Sequence, residues 1–408
     1  MKAETRALRA NAHYRRLLAA RLVSNIGNGM TPIAIAFGVL ALPGANATSL
    51  SLVLAAQAVP LVLLLPIGGV IADRLGRARV VGITDIVLSG FIMAMAILFL
   101  TGHATVPIVM AILFVYGCLA ALWYPAMGGL VPDVVPDEHI QPANAFISVA
   151  NNSGLILGNA IGGFLVALLG PGLAIGIDAL SFLVAGILVF SFRHVSKPHV
   201  SEETMLGDLA HGWRVFTSYK WVVVVVACFS IVVLSWRGAQ EVLGPVIAKE
   251  AYGGAAGWAT YMAFESVGLL VGGLIATRIR PKRPMVFGMV ITLALPIVQV
   301  MLALLLPLPV IAVGAFVLGV ALELFYVIWL VALQTHIPRE ALSRVNAYDA
   351  MGSLMFGPLG LALAGPLVGL VGIQAAFLVA AIIATIPIVV SLFFRSIWSL
   401  RPVEPASP

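Results

Sequence analysis

Apolar residues fill most of the chain in long runs, each broken by a few charged or turn-forming residues. The runs fall near 17–42, 50–72, 80–101, 106–131, 142–169 and 172–193. A second set falls near 220–247, 257–278, 285–306, 308–333, 344–370 and 373–395. A helix needs about 20 apolar residues to cross a bilayer, and each run has the length. The pattern therefore predicts an all-α membrane fold of twelve spanning helices with both termini on one side. Residues 194–219 form the only sizeable linker, separating an N-terminal bundle (1–193) from a C-terminal bundle (220–408). Within the linker, Leu206, Leu209, Trp213 and Phe216 recur at helical spacing, which predicts an amphipathic helix on the membrane surface.

Composition strengthens this reading. Of 408 residues, 61% are hydrophobic and 10% charged, against about 25% charged in soluble proteins. The net charge of +6 does not point to nucleic acid, because the cations sit at helix ends, where an anionic lipid surface is the natural partner. On one side lie the N-terminal cluster Lys2, Arg6, Arg9, Arg15, Arg16 and Arg21, then Arg74, Arg77, Arg79, Arg193, Lys197, Arg214 and Lys220. Arg278, Arg280, Lys282, Arg283, Arg339, Arg344, Arg395 and Arg401 follow on the same side, while the opposite loops carry only Lys249. That asymmetry predicts cytoplasmic termini. The first apolar run exceeds a signal-peptide core and is read as an uncleaved helix.

Cys118 and Cys228 lie inside apolar runs, without disulfide or metal spacing, and none of the seven histidines lies deep in a span. No metal site, cofactor site or nucleophile–base pair is recognisable, so an enzyme has no support. No G-x-x-x-x-G-K-[ST] loop occurs, which disfavours an ATP-driven pump.

The two halves repeat each other. Shifted by 204, Ile67-Gly-Gly-Val-Ile-Ala-Asp73-Arg74 overlays Val271-Gly-Gly-Leu-Ile-Ala-Thr277-Arg278; shifted by 202, Pro136, Glu138, Asn144 and Ala145 overlay Pro338, Glu340, Asn346 and Ala347. Tyr124 meets Tyr326 and Gly170 meets Gly372. Such duplication is a signature of secondary transporters.

Between the second and third runs stands Gly68-Gly69-Val70-Ile71-Ala72-Asp73-Arg74-Leu75-Gly76-Arg77-Ala78-Arg79. It reads as a short charged loop that forces an antiparallel hairpin, with Gly69 and Gly76 allowing close approach and unusual φ at its ends. The string resembles the major facilitator superfamily signature G-x-x-x-D-x-x-G-R through Gly69, Asp73, Gly76 and Arg77, with Arg74 beside the acid. Tyr124-Pro-Ala, Val131-Pro-Asp, Ala143-Asn-Ala and Leu342-Ser-Arg-Val-Asn-Ala-Tyr-Asp349 are similar to the bacterial drug:proton antiporter branch near macrolide and siderophore exporters. The resemblance implies alternating access in a bacterial cytoplasmic membrane. It also implies a conformational switch at Gly69, Asp73, Arg74, Gly76 and Arg77, with Asp73 latching onto the N-terminus of the eleventh helix near Arg344. The fifth span departs from the antiporter pattern: Gly154, Gly158, Gly162 and Gly163 are kept for tight packing, but Asn159 replaces the proline. The fourth span has no basic residue and the first no acid.

Charges inside spans cost about 2.5–3.5 kcal/mol on insertion scales and mark functional candidates. Arg237, Glu241 and Glu265 fall in the outer half of spans seven and eight, and Glu323 lies past the middle of span ten. Burial favours a neutral carboxyl and a nearby guanidinium favours the carboxylate, so Glu323, Glu241 and Glu265 are proton-coupling candidates, with Arg237 as the moving counter-charge. Asp85, Asp178 and Asp349 are read as structural. Asn25, Asn28, Trp123, Tyr124, Tyr326 and Trp329 are candidates for lining a substrate cavity. The expectation is proton-coupled efflux of a medium-sized amphipathic drug, antibiotic or siderophore by a monomer. The rivals are an uptake symporter or facilitator of a small metabolite and a non-transporting receptor or scaffold.

Overall fold

The computed structural model describes residues 7–196, 213–276 and 278–401. Leu206, Leu209 and Thr277 lie outside them. Among the described residues, twelve helices are long and apolar enough to cross a membrane: α1 (Ala12–Ala41), α2 (Ala47–Leu75), α3 (Arg77–Leu100), α4 (Val106–Gly128), α5 (Ile140–Leu169) and α6 (Pro171–Phe190) come first. They are followed by α7 (Lys220–Ala251), α8 (Ala255–Ala276), α9 (Pro284–Ala303), α10 (Leu308–His336), α11 (Arg339–Leu354 and Gly357–Val371) and α12 (Ile373–Ser391). Their outer faces carry large apolar side chains such as Leu63, Leu274 and Leu370 in exposed positions, as lipid contact requires. The protein is an integral membrane protein with twelve spans.

Helix ends follow local chemistry. Asn11 caps α1 by accepting from the His13 and Tyr14 amides at 3.0 and 3.1 Å, and Asn46 with Ser49 forms a capping box on α2. Gly170 and Gly372, matched in the internal repeat, both hold φ near +80° and join consecutive helices without a loop (φ +83° and +81°).

The chain divides into two compact units. The first holds residues 1–201, joined by 248–259, and packs α1 against α5 and α6, α3 against α6, and α2 against α4. The α1–α5 seam is backbone to backbone: a Cβ on Gly158 would fall 2.2 Å from the Ile26 carbonyl oxygen, and Gly154 and Gly162 press on Asn25 and Met30. Gly163 faces Ala259 instead.

The second unit holds 202–247 and 260–408. There α7 packs on α11 and α12, and α9 on α10 and α12. A Cβ on Gly268 would lie 2.1 Å from the Phe316 carbonyl oxygen, which fixes the close approach of α8 and α10. Trp213 and Phe216 of the linker rest on Tyr348, with centroids 5.6 and 5.7 Å apart.

Three helices depart from the predicted runs. α7 widens into a π-helical segment at Gly238–Leu243. α9 breaks at Leu293, between Pro284–Thr292 and Ala294–Ala303, and α11 is interrupted between Leu354 and Gly357.

Candidate functional site

In the first unit, the expected charged loop contracts to one residue. α2 runs to Leu75 and α3 begins at Arg77, with Gly76 alone between them at φ +88°. Gly69 is therefore not at a loop end: it sits inside α2, and a Cβ there would meet only Pro125 Cβ, at 3.8 Å. The close approach belongs to its neighbour Gly68, whose Cβ would fall 1.9 Å from the Ala121 carbonyl oxygen on α4. Gly76 also has little room, because a Cβ would lie 2.7 Å from the Ser196 carbonyl oxygen.

Arg77 is the hub. Its guanidinium donates to Asp73 Oδ1 at 3.1 Å, to the Gly129 carbonyl at 2.9 Å and to Asp133 Oδ1 at 3.4 Å. Asp133 Oδ2 in turn accepts from the Ser196 hydroxyl. Arg77 thus anchors the α2–α3 joint to the end of α4. Asp133 and Ser196 are not among the expected switch residues; the Val131-Pro-Asp phrase carries Asp133, and no motif marks Ser196. Asp73 finds its counter-charge four residues away, and the side chain of Arg344 lies outside the described residues.

The proposed cavity residues of this unit divide. Asn25 is buried and both its amide hydrogens are committed, donating to the Arg21 carbonyl at 2.7 Å and to Asn151 Oδ1 at 2.9 Å. Asn28 is half-buried and reaches Ser24 at 3.5 Å. Trp123 stands edge-on to Tyr124, 5.3 Å between centroids, and Tyr124 is exposed. Asp178, read as structural, is fully buried and accepts from Thr31 at 2.5 Å and Ser181 at 3.4 Å.

In the second unit, Arg237 and Glu241 form an ion pair at 2.9 Å across the start of the π segment, both partly exposed. Glu265 lies at mid-helix in α8, deeper than its predicted outer position, and accepts from Gln240 Nε2 at 2.7 Å rather than from Arg237. Glu241 therefore lies in the π segment and Glu265 contacts it, an irregularity frequent at functional sites. Glu323 is half-buried on α10, against Gly272 and Gly273 of α8, with its Oε1 3.8 Å from where a Gly273 Cβ would stand. Among the described residues it has no hydrogen-bond or ion-pair partner.

Trp329 is not available to a ligand. It is buried and donates to Asp349 Oδ2 at 2.8 Å, while Ser353 serves the other carboxylate oxygen at 3.2 Å. Tyr326 is exposed.

Twelve spans in two units, a charged α2–α3 joint and carboxyls held within the spans define a secondary transporter of the major facilitator type. The family described as transmembrane secretion effector matches residues 5–404, and the chain belongs to it. It is 30% identical to the multidrug efflux pump Tap of Mycolicibacterium fortuitum over 381 residues, 89% of this chain and 90% of that protein. It is 24% identical to the uncharacterised MFS-type transporter YfiS of Bacillus subtilis, over 89% of this chain and 88% of that one. Among solved structures, the nucleoside transporter NupG aligns with a TM-score of 0.70 at 13% identity, covering 95% of this chain and 100% of its own. A POT family transporter aligns with a TM-score of 0.73 at 12% identity, covering 94% and 96%. Those two likenesses carry the fold alone.

Proposed function

We propose that the protein exports a medium-sized amphipathic compound across a bacterial cytoplasmic membrane in exchange for protons, with both termini in the cytoplasm. The observation that carries the proton half is Glu323, a carboxyl in the middle of α10 with no partner among the described residues. An unpaired ionised acid is costly inside a bilayer, and a proton is the ligand that removes the cost. Glu241 and Glu265, both tied to the π segment of α7, are the secondary candidates, with Arg237 as counter-charge. The export half is supported by the relatives named multidrug efflux pumps. Asn28, Trp123, Tyr124 and Tyr326 are the cavity candidates left open by internal bonding.

Purified protein in liposomes, given an imposed pH gradient and a panel of fluorescent drugs and a siderophore, tests the reading. Substrate movement opposite to protons, lost in Glu323→Gln, is the expected result. Movement indifferent to the gradient overturns proton coupling and leaves a facilitator.

A further inference from the structure

Among the described residues, five side-chain nitrogen or oxygen atoms of the first unit are buried without a hydrogen-bond partner, and three of them sit on neighbouring side chains of three helices. The three are Nη1 of Arg21 on α1, Oδ1 of Asp85 on α3 and Nε1 of Trp123 on α4. The Arg21 guanidinium lies over the Trp123 ring, 4.9 Å from its centroid, and its Nε donates to Asn151 Oδ1 at 3.1 Å. Asp85 is 2% exposed. Its carboxyl lies beside the Trp123 indole and within electrostatic reach of Arg21, yet no ion pair joins acid and guanidinium.

The surroundings confine the acid to this corner. Arg21 faces it from α1 and Trp123 from α4, with Tyr116 of α4 also within electrostatic reach; Asp178 acts on it from α6. The α6 backbone closes the remaining side, since a Cβ on Gly186 would lie 3.0 Å from Asp85 Cβ. No charged group of α2 is among its neighbours.

A buried carboxylate held apart from its guanidinium keeps most of its desolvation cost. The other acids described in this unit's spans do not tolerate that. Asp73 takes Arg77, and Asp178 takes Thr31 and Ser181. The second unit gives a further contrast, where an indole–carboxyl pair is closed between Trp329 and Asp349. A proton on Asp85 resolves the conflict: the acid is then neutral, and the Arg21 charge rests on the Trp123 face and the Asn151 oxygen. When the proton leaves, the carboxylate has a guanidinium and an indole N–H waiting, and closing on them draws α3 towards α1.

We propose that Asp85 is a second proton-exchanging carboxyl, in the N-terminal unit. It is neutral in this conformation, and Arg21 and Trp123 receive its charged form. The proposal deepens the proton-driven reading above and rests on it for its role in transport.

Infrared difference spectroscopy on the purified full-length protein reads the acid without any substrate. A protonated-carboxyl band at neutral pH that is lost in Asp85→Asn and kept in Asp85→Glu is expected. In protein grown on fluorotryptophan, the Trp123 resonance is expected to shift with pH in the wild type and to stay fixed in Asp85→Asn. Thermal melts establish that each variant is folded. An unchanged carboxyl band in Asp85→Asn, or a Trp123 shift that persists there, overturns the proposal. A wild type that carries the Asp85 band but moves substrate without regard to the pH gradient removes the transport reading and leaves the proton on Asp85.

Discussion

The Arg77 guanidinium donates to the Gly129 carbonyl at 2.9 Å, so the first residue of α3 holds the last turn of α4. The same group also serves Asp73 and Asp133. Hydrogen bonds to charged groups contribute about 1.5–3 kcal/mol each, but partial exposure of all three side chains lowers that here. Arg77→Ala is expected to cost about 2 kcal/mol, seen as a lower melting temperature. Arg77→Lys, which keeps the charge but not the fork, should fall between it and the wild type. Equal melting temperatures for all three proteins would contradict the hub.

Gly68 and Gly69 are adjacent in sequence and opposite in tolerance. Gly68→Ala drives a methyl into the Ala121 carbonyl, which forces α2 and α4 apart; overpacking of this kind costs about 1–3 kcal/mol. Gly69→Ala meets only Pro125 at ordinary van der Waals distance and is expected to melt at or above the wild-type temperature, by up to about 1 kcal/mol of helix propensity. Melting curves of the two variants check the order.

Gln240 and Glu265 form a polar contact between the π segment and α8. Gln240→Leu leaves a buried acid without its donor and should destabilise the protein by about 1–3 kcal/mol. Replacing both residues by leucine removes the orphan as well as the bond. The double variant is expected to recover much of the loss, which a double-mutant cycle measures directly.

Thr31→Val takes from the fully buried Asp178 its 2.5 Å donor and leaves only Ser181 at 3.4 Å. Gly27 cannot compensate, since any Cβ there would lie 2.2 Å from Asp178 Oδ1. A destabilisation of about 1–3 kcal/mol is expected, whereas Thr31→Ser, which keeps the hydroxyl, should stay near the wild type.

The spans were legible because a bilayer accepts only long apolar helices, and runs such as 172–193 have no other reading. Contacts between helices were not. A motif match selects Gly69, yet the geometry that needs a missing side chain is at Gly68, one helical step round towards α4. Arg237 is the counter-charge that the sequence offers to Glu241 or Glu265; the fold pairs it with Glu241 and gives Glu265 Gln240, an uncharged residue that no charge inventory would pick. Asp85 reads as structural from its own helix alone. Its meaning depends on Arg21 and Trp123, which approach from distant parts of the chain. The break of α9 at Leu293 falls within an apolar run with no glycine or proline at the break itself.

The π turn at Gly238–Leu243 has a consequence for chain length. An i to i+5 turn holds one residue more than the α-helix on either side of it, so α7 carries a spare residue between Arg237 and Gly244. Elsewhere in a spanning helix, deleting a residue rotates everything beyond it by about 100° and turns buried faces to lipid. Removing one residue from 238–243 converts the turn to ordinary α-helix and can be absorbed there. Single-codon deletions scanned along 220–251 should therefore be accepted in this window and rejected on both sides of it.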